Sequence, residues 1–191
     1  MVSGTLPVMT ASRTPLSSLP SRMSLPEWQS AVLDGEAVAI GGGFVCIDEP
    51  VGAQDRAVSL AIGLRGSRAV VSDRSAAWVW GWGESRSVVD TCVPITARVA
   101  SPERRRRHAR EAVIEPHEII EIGGVRVTSP LRTVIDLVRH DHDDEVITLV
   151  VAALDAGDVA AGDVTSELGR RPGISHLRRA RARVELAFSR C

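Results

Sequence analysis

Apolar and polar positions alternate from Glu118 to Thr128 on both sides of a glycine pair, in the order Glu-Ile-Ile-Glu-Ile-Gly-Gly-Val-Arg-Val-Thr. Period two interrupted by Gly123-Gly124 is the pattern of a β-hairpin whose turn needs positive φ. The period then changes to 3.6. Ser129 stands where a helix N-cap belongs, and Pro130 takes the first helical position, where its missing N–H costs nothing. Leu131, Val134, Ile135 and Val138 recur at i, i+3, i+4 and i+7, which predicts a buried stripe packed on the sheet. Arg132 and Asp136 lie four apart and can pair, an interaction of about 0.2–0.5 kcal/mol if exposed.

The same punctuation parses the rest of the chain. Residues 1–23 are rich in Ser, Thr and Pro and predict a flexible arm. Ser24-Leu-Pro-Glu27 opens a short helix with Trp28, Ala31 and Val32 on one face, ending near Asp34-Gly35. Ala37–Ile40 and Phe44–Ile47 flank Gly41-Gly-Gly43, a second hairpin. A helix closed by a hairpin is the last part of a winged helix. The helices that should precede it are not legible, so residues 24–50 read as an abbreviated winged-helix-like element, with 51–191 as the main domain. There, helices are expected over Gln54–Leu64 and from Ser72 or Asp73 to Gly81, and strands over Arg68–Val71, Ser87–Ile95 and from Ala112. Three further helices follow, over Glu145–Ala156, Gly162–Gly169 and Ile174–Phe188. Strands mixed with helices, then a helical tail, argue an α+β fold with a mixed sheet.

Composition mainly excludes. The chain has 191 residues, is 44% hydrophobic and 25% charged, and carries a formal charge of -1, so no global field favours nucleic acid or membrane. Every one of its 23 cationic side chains is Arg. Chemistry that needs a lysine, as in phosphate-binding loops and Schiff bases, is therefore excluded. Cys46, Cys92 and Cys191 are too scattered for a disulfide framework or a zinc site. Prolines and arginines break the first 23 residues, no signal-peptide core is present, and no apolar run reaches the roughly 18 residues that span a bilayer. A cytoplasmic protein without membrane contact is expected.

Arg104-Arg-Arg-Arg107, with His108 and Arg110, is the sharpest charge feature, read as a loop between strands that can contact phosphates. The bland alternative is a solvated loop. On the last helix Ile174, Leu177, Ala180, Val184 and Phe188 keep an apolar stripe, which places Arg178, Arg179, Arg181 and Arg183 on the outer face, available to nucleic acid or an acidic partner. Trp78, Trp80 and Trp82 could stack on bases, but their apolar neighbours favour core packing. His140-Asp-His-Asp-Asp144 looks like a metal cluster, yet at a helix terminus it reads better as solvated caps. Without a nucleophile elbow, a zincin motif or a spaced acid pair, no enzyme is indicated and no cofactor is expected.

Two passages, Ala69-Val-Val-Ser-Asp-Arg-Ser-Ala-Ala-Trp-Val-Trp-Gly81 and Gly123-Gly-Val-Arg-Val-Thr-Ser-Pro-Leu-Arg-Thr-Val-Ile-Asp-Leu137, resemble the AbiEi-like antitoxin family of actinobacterial type IV toxin–antitoxin systems. The resemblance runs from about Leu25 to Phe188. It implies an N-terminal winged helix that binds operator DNA, a C-terminal antitoxin domain, and a nucleotidyltransferase-like toxin as partner. Many relatives continue into an endonuclease domain beyond the equivalent of Leu186, and nuclease activity is not expected here. The leading expectation is a non-enzymatic, DNA-binding, antitoxin-like transcriptional regulator. Its phosphate contacts would come from Arg104, Arg105, Arg106, Arg107, Arg110, Arg178 and Arg179, and its sequence preference from the Trp28 helix and the Gly41–Gly43 wing. The alternative is a module that binds only a protein partner, such as the toxin.

Overall fold

The computed structural model describes residues 24–64, 68–95, 108–170 and 176–190. Within them the fold is α+β. Helix α1 (Leu25–Leu33) leads into the hairpin β1 (Ala37–Ile40) and β2 (Gly43–Cys46), which forms a small sheet of its own. Glu27 reaches back to the Ser24 N–H, closing a capping box. Trp28 stacks on Phe44 with ring centroids 5.8 Å apart, fixing helix to hairpin. The hairpin tip leans on the next helix, α2 (Ala53–Leu64), where the Gly42 N–H donates to the Ser59 carbonyl at 3.1 Å.

The main sheet has five strands in the order β5-β4-β3-β7-β6. These are β3 (Val70–Val71), β4 (Asp90–Pro94), β5 (His108–Ala112), β6 (Ile119–Ile122) and β7 (Val125–Thr128). β3 pairs antiparallel with β4 and parallel with β7, while β4 and β5 run parallel. The hairpin β6–β7 closes with Ile122 opposite Val125, and Gly123 and Gly124 both have positive φ, as the two-residue turn requires. β3 runs directly into α3 (Asp73–Trp80) and β7 into α4 (Pro130–His140). The helical layer is completed by α5 (Val146–Asp155), α6 (Ala161–Arg170) and α7 (Leu177–Phe188).

Two cores result. One face of the sheet, with Val71, Val125 and Val127, packs on Ala57 and Leu60 of α2 and on Ala76, Trp78 and Val79 of α3. The other core is built between helices, with no strand residue in it: Val134, Ile135, Leu137 and Val138 of α4 meet α5, α6 and α7. The tryptophans join the two, Trp78 in the first and Trp82 in the second. Their indoles are satisfied internally, Trp80 by the Thr128 carbonyl at 3.0 Å and Trp82 by Asp158 at 2.7 Å, so packing is their role.

Several expectations change. α4 is buried from Arg132 through Val138 rather than along one stripe, and its apolar side meets helices instead of the sheet. Leu131, counted in that stripe, is only half-buried. The strand expected to start at Ala112 ends there, because its alternation is carried by His108, Arg110 and Ala112, and polar members hid the period. β4 is shorter than the apolar run Ser87–Ile95, and α7 starts at Leu177. Ile174 and the Arg104–Arg107 run lie outside the described residues.

Candidate functional site

The Ser129-Pro130 junction aims α4 beneath the β4–β5 edge. Ser129 accepts from the Arg132 N–H at 3.4 Å, and Thr133 donates its hydroxyl to the Thr128 and Ser129 carbonyls. Arg132 and Asp136 are thereby turned under the sheet, and a chain of alternating charges forms. Glu118 accepts from Arg132 Nη1 at 2.7 Å, Arg132 Nε donates to Asp136 Oδ2 at 2.9 Å, and Arg110 Nη2 reaches the same oxygen at 3.0 Å. Arg110 also meets Asp73 at 3.3 Å, whose Oδ2 accepts from Ser72 Oγ at 2.6 Å. Asp136 has no solvent exposure and Arg132 and Glu118 almost none. Burial works against the Arg132 charge, but Asp136 and Glu118 more than offset it and its pKa rises. Beside Arg110 in register lies Cys92, whose thiol burial pushes up to about 11. That thiol is an inert filler, not a nucleophile.

Above this chain opens a cleft of about 750 Å³, where β3 ends and β4 and β5 begin. The Ser72 N–H donates to the Asp90 carbonyl and Asp90 N–H to Ser75 Oγ, which sets Asp90 and Asp73 on the same rim. Asp73 has φ +50°, a left-handed conformation that aspartate tolerates better than most residues. Asp90 lies 3.2 Å from His108 Nδ1. Burial raises the pKa of Asp73 and of Asp90, only partly offset by Arg110 at the first and by the His108 hydrogen bond and Arg86 at the second. On the far side Arg74 pairs with Asp141, Asp143 and Glu145, holding the segment after α4 against α3. His140 in the wall has its pKa lowered to about 4 by burial and by the arginines around it, chiefly Arg110, against which Asp136 acts.

That shift has a measurable sign. Below pH 6.5 the unfolded His140 ring binds a proton that the folded ring refuses until about pH 4. Stability is therefore lost as pH falls through this window, by at most about 3 kcal/mol at about 1.36 kcal/mol per unit. Asp73 and Asp90 work the other way, so the comparison must be with His140→Gln. Wild-type stability minus that of His140→Gln, from urea unfolding, is expected to fall between pH 7 and pH 4.5. Parallel curves would show that the ring titrates normally.

The arginines singled out from the sequence do not form one site. Arg110 is a strand residue rather than a loop residue, and it is engaged by Asp73 and Asp136. Arg179, expected on the outer face of α7, donates to the Arg139 carbonyl at 2.7 Å, and Arg183 donates to the Asp141 carbonyl at 2.7 Å. Both saturate carbonyls at the end of α4, where cations are favoured. Arg178 and Arg181 remain exposed. Arg104, Arg105, Arg106 and Arg107 lie outside the described residues. The helix–hairpin unit carries Glu27, Asp34, Glu36, Asp48 and Glu49 and no cation between positions 24 and 50, so phosphates are repelled there. The Arg132–Asp136 spacing, Arg110 and the His140–Asp144 run were each singled out from the sequence and meet at this site; Glu118, Asp73 and Asp90 were not, because they join it only through tertiary contacts.

Residues 69–186 match the family model described as the AbiEi antitoxin C-terminal domain. Among curated proteins none matches the chain. Among the described residues no helix is long and apolar enough to cross a membrane.

Proposed function

The chain belongs to the AbiEi antitoxin family, and from that premise we propose that it is a non-enzymatic antitoxin of a type IV toxin–antitoxin system that also binds DNA as a transcriptional regulator. The antitoxin role rests on the family match over residues 69–186. The regulatory role is supported by the concentration of cations in the Arg104–Arg107 run and on the exposed side of α7 at Arg178. Guanidinium groups suit bidentate phosphate contacts. The helix–hairpin unit resembles the end of a winged helix in shape, but its acidic charge disfavours phosphate contact there, which supports leaving that contact to the arginines. Binding of this kind positions a protein and reads little sequence.

The test is affinity for the DNA upstream of the protein's own coding sequence, by fluorescence anisotropy over a range of salt. Log K is expected to fall with log salt by about 0.9 per phosphate neutralised. Replacing Arg104, Arg105, Arg106 and Arg107 by Ala should weaken binding to all sequences alike and flatten that slope. An unchanged slope would reduce the run to a solvated loop. No binding at low salt would transfer the role to a protein-binding antitoxin, a second reading that the net-acidic cleft favours.

A further inference from the structure

The helix–hairpin unit is engaged on two sides. α1 covers one face of the hairpin, where Trp28 stacks on Phe44 and packs with Ala37. The tip is held by α2: the Gly42 N–H donates to the Ser59 carbonyl at 3.1 Å, and a Cβ at Gly41 would collide with Ser59 Oγ. On the other face Val38 and Ile47 stay 38% and 57% exposed. The register brings them together. Val38 lies opposite Val45, Ile47 donates its N–H to the Glu36 carbonyl, and side chains two apart on a strand share a face. Among the described residues, four of the eight exposed large apolar side chains (Leu25, Leu33, Val38 and Ile47) fall between positions 24 and 50. Such a concentration marks a surface that takes a cover, unlike single apolar residues scattered over a protein. Glu36 shares the face, exposed Asp34, Asp48 and Glu49 stand close to it in the chain, and positions 24–50 hold no cation. A fitting cover is therefore apolar and cationic. A second copy would bring the same carboxylates and be repelled.

We propose that residues 13–23 of this chain lie across this face, with Leu16 and Leu19 against Val38 and Ile47 and with Arg13 and Arg22 among the carboxylates. Charge, tether and reach select this occupant. Residues 1–23 carry Arg13 and Arg22 and no acidic side chain, the complement of Glu27, Asp34, Glu36, Asp48 and Glu49. The segment joins the unit directly at Ser24, and so short a tether holds it at a high effective concentration. α1 has 9 residues and is therefore about 14 Å long. Extended chain covers about 3.3 Å per residue. The residues from Ser24 back to Leu19 thus suffice to return along α1, and those back to Leu16 to cross onto the hairpin. This contact is independent of both the DNA-binding and the antitoxin readings.

Limited trypsin digestion of the full chain at low salt tests this, with the rate of cleavage after Arg22 read by mass spectrometry. Relative to wild type, that rate is expected to rise at least tenfold in the face variant Val38→Ser, Ile47→Ser. The arm variant Leu16→Ser, Leu19→Ser should show the same rise. The control Val113→Ser, Leu186→Ser replaces exposed apolar residues elsewhere and should be cut like wild type. Thermal midpoints show whether each variant is folded; if the face variant is not, the arm variant decides alone, since its substitutions lie outside the folded unit. Wild-type cleavage as fast as in the arm variant would overturn the proposal. Equal acceleration in the control would attribute the effect to general loosening and overturn it too. Protection that disappears on dilution of the wild-type protein would give the face to a second copy, which is also contrary to the proposal.

Discussion

Replacing Asp136 by Asn is expected to cost about 3–5 kcal/mol, the range for removing one member of a buried ion pair. The side chain keeps its shape, but the guanidinium groups of Arg110 and Arg132 then share a neutral amide where a carboxylate stood at 3.0 and 2.9 Å. Glu118 and Asp73 remain on the outer ends of the chain and limit the damage. Glu145→Gln is the matched control, since that carboxylate is largely exposed beside Arg74 and should cost about 0–1 kcal/mol. Urea unfolding of the two variants compares them directly. Similar small costs would mean that the charge chain is solvated and not structural.

Ile135→Ala should cost about 2–5 kcal/mol, because the side chain is fully buried in the helical core and α4 cannot shift without breaking its contacts above and below. Domains of this size are typically stable by about 5–15 kcal/mol, so the variant should lose a large part of its unfolding midpoint. A cost below about 1 kcal/mol would place Ile135 at a surface and contradict the central position of α4.

Local chemistry was readable and non-local chemistry was not. The Gly123-Gly124 turn, the Ser129 cap and Pro130 each act within a few residues, and all three occur where the pattern predicts. The fold class followed from the order of elements, whereas the order β5-β4-β3-β7-β6 depends on pairing across long separations. Arg132 and Asp136 were recognisable as neighbours on one helix. Their burial was not, because it depends on Glu118 fourteen residues upstream and on Arg110 from a different strand. Arg179 and Arg183 were misplaced for a related reason. A helical wheel shows which side of α7 is apolar, but not that its flank docks on the carbonyl end of α4. Polar residues in β5 disguised a strand as a basic loop.

The charge chain and the cleft above it belong to the part of the molecule that matches the antitoxin family, residues 69–186. The family assignment and the structural argument therefore meet in one test. The chain should be co-expressed with a nucleotidyltransferase-like toxin, with growth followed after toxin induction. Growth is expected to be restored by the full chain and by Glu145→Gln, and lost again with Asp136→Asn in proportion to its loss of folded protein. Continued toxicity in the presence of soluble, folded wild-type chain would contradict the account.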